Sequence, residues 1–142
     1  MPAITYRIGN DLDPDVVIEL YRASTLGERR PVDDRARMEA MLHNANLVIT
    51  AWDGDRLVGI VRSLTDLVYC TYVSDLAVRE SHQRRGIGSE LIRRTREAGG
   101  QAMVILLSAP KAVDYYPRIG FTAHPSAWVL KPDEQLRQRP GS

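Results

Sequence analysis

The sequence predicts a mixed α/β (α+β) fold: a mostly antiparallel sheet of about seven strands, with a central parallel β-α-β crossover and about four helices. Three observations carry this prediction. Stretches with period-two or continuous apolar character alternate with stretches of helical period, in the order β-α-α-β-β-β-α-β-α-β-β. Asp53-Gly54-Asp55 sits between two β-like runs and reads as a hairpin turn, hence antiparallel pairing. Residues 68–78 and 103–107 are β-like runs flanking a helical stretch, which calls for a right-handed parallel crossover.

Each element has a local cause. Ile4, Tyr6 and Ile8 alternate with polar residues, as in a strand. Asp13 before Pro14 is a helix N-cap followed by proline at the first helical position, and Val16, Val17, Leu20 and Tyr21 give that helix one apolar face. It is expected to end near Gly27, leaving residues 27–31 as a loop with Arg29 and Arg30. Asp33 or Asp34 caps a second helix through Met38, Met41, Leu42 and Ala45. Residues 47–52 and 57–64 form the hairpin, and 68–78 is a long strand rich in β-branched and aromatic residues.

Residues 80–85 read as polar loop. The period then turns helical through Ile87, Leu91, Ile92, Thr95 and Ala98, and Gly99-Gly100 ends that helix. Residues 103–107 are nearly continuously apolar, as in a strand buried on both faces. Pro110 breaks the run, and 112–119 is a short helical segment interrupted by Pro117. Residues 121–123 and 128–130 suggest a closing antiparallel hairpin, and the polar tail 132–142 is expected to fray.

A chain of 142 residues fits one compact domain able to bury about two-thirds of its unfolded surface. A net charge of +1 gives no global drive toward nucleic acid or membrane, and no apolar stretch reaches membrane-spanning length. Residues 1–10 lack the order of a signal peptide, so the cytoplasm is the expected compartment. Cys70, the single cysteine, excludes an internal disulfide and reads as a small buried hydrophobe. His43, His82 and His124 match no metal-ligand spacing, and no metal is expected. They read as surface or packing residues, and Trp52 and Trp128 as core or pocket wall. Arg84, Arg85, Arg93, Arg94 and Arg96 could form a nucleic-acid patch, but without a binding motif or a basic excess they read as a solvated helix face.

The informative segment is VSDLAVRESHQRRGIGSEL, residues 73–91. A strand ends, a short loop carries two glycines, and a helix begins. The first-turn N–H groups of a helix lack intrahelical partners, and the macrodipole favours an anion there. Gly86 and Gly88 let the backbone turn and let a phosphate approach, and Arg84 and Arg85 add positive charge. Ser89-Glu90 stands where a nucleoside-triphosphate loop needs Lys-Ser/Thr, and Leu91 where a dinucleotide loop needs a third glycine.

Gln83-Arg84-Arg85-Gly86-Ile87-Gly88 resembles the Gln/Arg-x-x-Gly-x-Gly/Ala signature of the GNAT acetyltransferase superfamily. In that family the signature follows a Leu-Ala-Val-like triplet, here Leu76-Ala77-Val78, after a gap of four residues. Downstream, AVDYYPRIGF (112–121) looks like the family's A-x-x-F-Y-x-x-x-G-F segment, with Tyr116 on its tyrosine. The two motifs span about the second half of the chain. Where many relatives carry an asparagine that touches CoA, this chain has Leu107-Ser108-Ala109-Pro110. The run SAPKAVDYYPRIGF is similar to plant plastid and bacterial relatives that acetylate arylalkylamines or protein amino groups.

The resemblance implies an N-acetyltransferase that binds acetyl-CoA as co-substrate, without a metal, and moves its acetyl group to a primary amine of a small molecule or protein by direct attack in a ternary complex. Gln83, Arg84, Arg85, Gly86, Ile87, Gly88 and Ser89 would hold the pyrophosphate. The backbone of Leu76, Ala77 and Val78 would pair with the pantetheine arm, and the N–H of Leu76 or a neighbour would face the oxyanion. Tyr116 would be the general acid toward the CoA thiolate, against a purely packed aromatic. Asp75 would be the base, directly or through water; the alternative is a structural role, bonding nearby backbone or Arg62. Asp66 is the lesser base candidate and otherwise a turn residue. Arg29-Arg30 either reads an acidic acceptor or is a solvated loop. Homodimers through the closing strands are common in similar proteins. The alternative function is a non-catalytic CoA-binding regulatory module.

Overall fold

The computed structural model of the chain describes residues 3–138, which divide into two compact units, one ending at Leu107 and one beginning at Ser108. The outer end of the expected frayed tail, residues 139–142, lies outside the described residues.

The first unit carries strands β1 (Thr5–Ile8), β2 (Leu47–Asp53), β3 (Arg56–Thr65), β4 (Cys70–Val78) and β5 (Met103–Leu106), with helices α1 (Pro14–Arg22), α2 (Arg35–Asn44) and α3 (Ile87–Ala98). The strands lie side by side in sequence order, antiparallel except for the parallel pair β4–β5 that α3 connects. The mixed class and the crossover are as predicted. The strand count is five among the described residues, against about seven expected. Residues 121–123 and 128–130 form no strand. Each run is short, and Pro125 between them has no N–H to give a ladder.

The capping signals operate as read. The Asp13 carboxylate accepts from the N–H of Asp15, and Pro14 occupies the first position of α1. That helix ends at Arg22 rather than near Gly27, and the chain continues as a 3₁₀ turn over Thr25–Arg29. Here the backbone returns so closely that a Cβ on Gly27 would lie 2.6 Å from the carbonyl oxygen of Tyr21. Asp34, not Asp33, caps α2.

Helix α1, the 3₁₀ turn and α2 cover one face of the sheet. Leu20, Tyr21, Leu26, Met38 and Leu42 pack there with Val48, Ile60 and Ala77. Helix α3 covers the other face through Ile87, Leu91, Ile92 and Thr95. It lies close because β3 offers a glycine: a Cβ on Gly59 would be 3.1 Å from Leu91 Cδ1 and 3.2 Å from Ile87 Cγ2. Gly59→Val should therefore push α3 off the sheet and cost about 1–3 kcal/mol, read as a lower denaturation midpoint.

Three expectations of burial are corrected. Strand β5 is exposed to half-buried, because it is the last strand of the sheet. Cys70 is exposed, since its side chain points away from α3 at the mouth of β4. Trp128 is exposed in a segment without regular structure, whereas Trp52 packs against the core as expected. No helix of the described residues is long and apolar enough to cross a membrane.

Candidate functional site

Strand β4 contains an irregularity that decides what the site looks like. Its pairing with β3 runs Arg62 to Asp75 and then Ser63 to Val73, so Ser74 is an extra residue, a β-bulge. One inserted residue inverts the alternation of side chains across the sheet. Before the bulge, Thr71 approaches Gly99 at the end of α3. After it, Asp75 and Ala77 face α1. Pairing between β4 and β5 ends at Val73 and Leu106, one residue short of the bulge. From Ser74 onward the two parallel strands part.

The ladder alternation shows which groups line this opening. The N–H of Arg79 donates to the carbonyl of Val58 on β3 at 2.8 Å. Residues an even number away along β4, Ala77 and Asp75, therefore also turn their backbone toward β3. Leu76 and Val78 turn theirs to the side where β5 has departed. The Val78 carbonyl is taken by the Gln83 side chain at 3.0 Å, which folds the following loop back onto the strand.

That loop enters α3 through two left-handed residues, Arg84 at φ 65° and Gly86 at φ 78°. Such conformations turn successive N–H groups into an anion-binding concavity. Gly86 is the N-cap of α3 and brings no capping side chain, and the space a Cβ would occupy there is open. Gln83 to Gly86 are exposed, Gly88 and Ser89 half-buried, and Ile87 is buried as the anchor of the helix.

Arg79, read only as a spacer, and His82, read as a surface or packing residue, hold the loop from behind. Arg79 is buried; its guanidinium donates to the Leu57 carbonyl at 2.9 Å and pairs with Glu19 of α1 at 2.7 Å. His82 is buried in a 3₁₀ turn, with Nε2 2.8 Å from Asp53 and Nδ1 2.7 Å from the Ser81 hydroxyl. The loop is thereby fastened to α1 and to the β2–β3 hairpin. The arginines farther along α3 are neutralised on its surface: Arg93 and Arg94 hydrogen-bond Glu90 and hold its carboxyl down at about 2.

On the α1 side, Asp75 sits in a closed network. Its Oδ2 accepts from Arg62 Nε and from the Tyr21 hydroxyl, both at 2.6 Å, and its Oδ1 from Arg30 Nε at 2.6 Å. Burial alone would raise the Asp75 carboxyl, but the hydrogen bond and charge of Arg62, then the charge of Arg30 and the Tyr21 bond, hold it below the ordinary carboxylate range. The pairing with Arg62 is the structural alternative the sequence left open. Arg30 is likewise pinned on Asp75, while Arg29 remains exposed. Asp66 is a turn residue: its Oδ1 accepts from the N–H groups of Val68, Tyr69 and Cys70.

Asp75→Asn leaves two guanidiniums short of a counter-charge and should cost about 3 kcal/mol at pH 7, near the low end for a buried pair because Arg30 is partly solvated. The sign with pH follows from the lowered carboxyl. The stabilisation is complete above the unfolded value, about 3.9, and is lost as pH falls through the lower folded one. Urea titrations should show the gap between wild type and variant closing below about pH 4.

Tyr116 belongs to the second unit, in the short helix α4 (Tyr115–Arg118). Its ring meets Tyr115 and Phe121 edge-on, at centroid separations of 5.2 and 5.4 Å. Its carbonyl accepts from the N–H groups of Ile119 and Phe121, closing the turn at Gly120, whose φ is 108°. Burial first, then the neighbouring Tyr115, raises the Tyr116 hydroxyl above its ordinary value.

A bulged strand thus parts from its parallel neighbour and feeds an uncapped helix start that favours an anion. Residues 24–129 match the model of the acetyltransferase (GNAT) domain. The chain belongs to the GNAT acetyltransferase family. It is 30% identical over 117 residues to the uncharacterized ycf52-like N-acetyltransferase of Prochlorococcus marinus, a match covering 78% of this chain and 63% of that relative's length. A GNAT-family acetyltransferase from Streptococcus pneumoniae is similar in structure, with a TM-score of 0.73, 28% identity, and 91% of this chain and 99% of that one covered. The aminoglycoside N-acetyltransferase AAC(6')-Iy, solved in complex with CoA, shares the fold at a TM-score of 0.71 and 15% identity, over 92% and 95% of the two chains.

Proposed function

We propose that this GNAT chain is an N-acetyltransferase that takes acetyl-CoA as co-substrate and acetylates a primary amine of a small molecule or protein. The observation that carries the reading is the continuity of the free edge of β4, from Leu76 to Val78, with the glycine-bearing start of α3. The residues present fit the cofactor. Open space and positive φ at Gly86 admit a phosphate against the backbone, and Arg84 and Arg85 supply charge at the exposed rim.

Acetyl-CoA, when bound, supplies the activated acetyl group and a thiolate leaving group. The Gln83–Ser89 segment binds the pyrophosphate through helix-start N–H groups. Leu76, and Val78 through its N–H, offer backbone groups on the β5 side to the pantetheine arm, and the Leu76 N–H is the donor for charge developing on the thioester oxygen. The Tyr116 hydroxyl, protonated at neutral pH as phenols are and kept so by the upward shift, is suited to give a proton to the thiolate. Asp75 serves as an anchor of the bulge: a carboxylate held low by two guanidiniums is a weak proton acceptor, so the amine's proton leaves to water or to another group.

Thiol release from acetyl-CoA across a panel of amines, beside calorimetric titration with CoA, tests the reading. Turnover with at least one amine is expected. Tight CoA binding without turnover on any amine would favour a non-catalytic regulatory module, and absence of CoA binding would overturn both.

A further inference from the structure

The bulge at Ser74 leaves a carbonyl that the β3 ladder cannot use. Arg30, which follows the Thr25–Arg29 turn, supplies the donor: its Nη2 lies 2.8 Å from the Ser74 carbonyl while its Nε lies 2.6 Å from Asp75 Oδ1. Its third nitrogen, Nη1, donates to the Arg29 carbonyl at 2.8 Å. From the other side, Arg62 of β3 holds Asp75 through Nε at 2.6 Å and the Ser74 hydroxyl through Nη2 at 2.8 Å. The two bulge residues are thus clamped by two guanidiniums, one from the sheet and one from the loop between α1 and α2. Strand β4 parts from β5 where this clamp begins.

We infer that Arg30 is a positioning residue for acetyl transfer: by capping the bulge carbonyl it fixes where β4 leaves β5, and hence where the Leu76 N–H points. This rests on the acetyltransferase reading above. The fork geometry matters as well as the charge. One guanidinium bonds a carboxylate and a carbonyl at once through nitrogens held in one plane, which an ammonium cannot reproduce. The pyrophosphate loop is fastened separately, by Arg79 and His82, so the grip on the pyrophosphate does not pass through Arg30.

The test uses Arg30→Lys, which keeps the charge beside Asp75, with Arg30→Met as the stronger variant. In Arg30→Lys, amide hydrogen exchange in residues 73–78 should accelerate about tenfold or more, the worth of one charge-assisted hydrogen bond, while residues 80–90 exchange as in the wild type. Turnover per CoA-binding site should fall by a similar factor, with the CoA dissociation constant changing far less because the pyrophosphate loop stays fastened. Wild-type exchange and turnover in Arg30→Lys would overturn the inference, since charge alone would then suffice. Uniformly faster exchange, or weaker CoA binding in step with turnover, would also overturn it by revealing general loosening. A wild-type protein without turnover on any amine would sink the acetyltransferase reading, and the exchange arm would still decide whether Arg30 holds the bulge.

Discussion

Gly86→Glu should abolish CoA binding. The residue has φ 78°, where a side chain other than glycine costs about 1–3 kcal/mol. The space in front of its Cα is open, so the protein itself does not exclude a side chain there. The loss would come from the ligand: a carboxylate placed where the helix start should receive pyrophosphate repels that charge and occupies its space. Repulsion and lost space together should weaken CoA by about a thousandfold or more, near 4 kcal/mol, while the backbone strain separately lowers the unfolding midpoint. Calorimetric titration with CoA is the measurement. Retained affinity would mean that the pyrophosphate sits elsewhere.

Tyr116→Phe should act on the other half of the reaction. Phenylalanine keeps the edge-on contacts with Tyr115 and Phe121, so the α4 segment should hold its packing. It removes only the hydroxyl, and turnover should fall by about a hundredfold, at the lower end of what a positioned proton donor contributes, with acetyl-CoA affinity retained. Because the Tyr116 hydroxyl is raised above the ordinary 10.0, the acid form persists across neutral pH, and the wild-type rate should fall only when pH climbs beyond that value. Unchanged turnover in the variant would assign the proton to water or to another group.

Local signals were legible in the chain and non-local ones were not. The cap at Asp13-Pro14, the Asp66 turn and the glycine pair before α3 depend on neighbours within a few residues, and each stands where the sequence placed it. The burial of 103–107 was misjudged because a run of apolar residues does not say whether a strand has a neighbour on each side. Arg79 looked like one of four spacer residues, and its value comes from Glu19, sixty positions earlier. Asp75 posed the same difficulty. Its residue type permitted a base or an anchor, and the convergence of Arg30, Arg62 and Tyr21 from three elements, which supports the anchor, involves residues far apart in the chain.

The bulge at Ser74 has a consequence for how this protein tolerates change. The bulge itself, and with it the parting of β4 from β5, depends on one residue more in β4 than β3 can pair. Substitutions at Ser74 would keep the extra residue and lose only the hydroxyl that Arg62 holds. Deleting it would bring the ladder back into step with Asp75 still opposite Arg62, remove the bulged carbonyl that Arg30 holds and close the gap beside β5. The slot is written in the chain as a count, so insertions and deletions, rather than replacements, mark its boundaries.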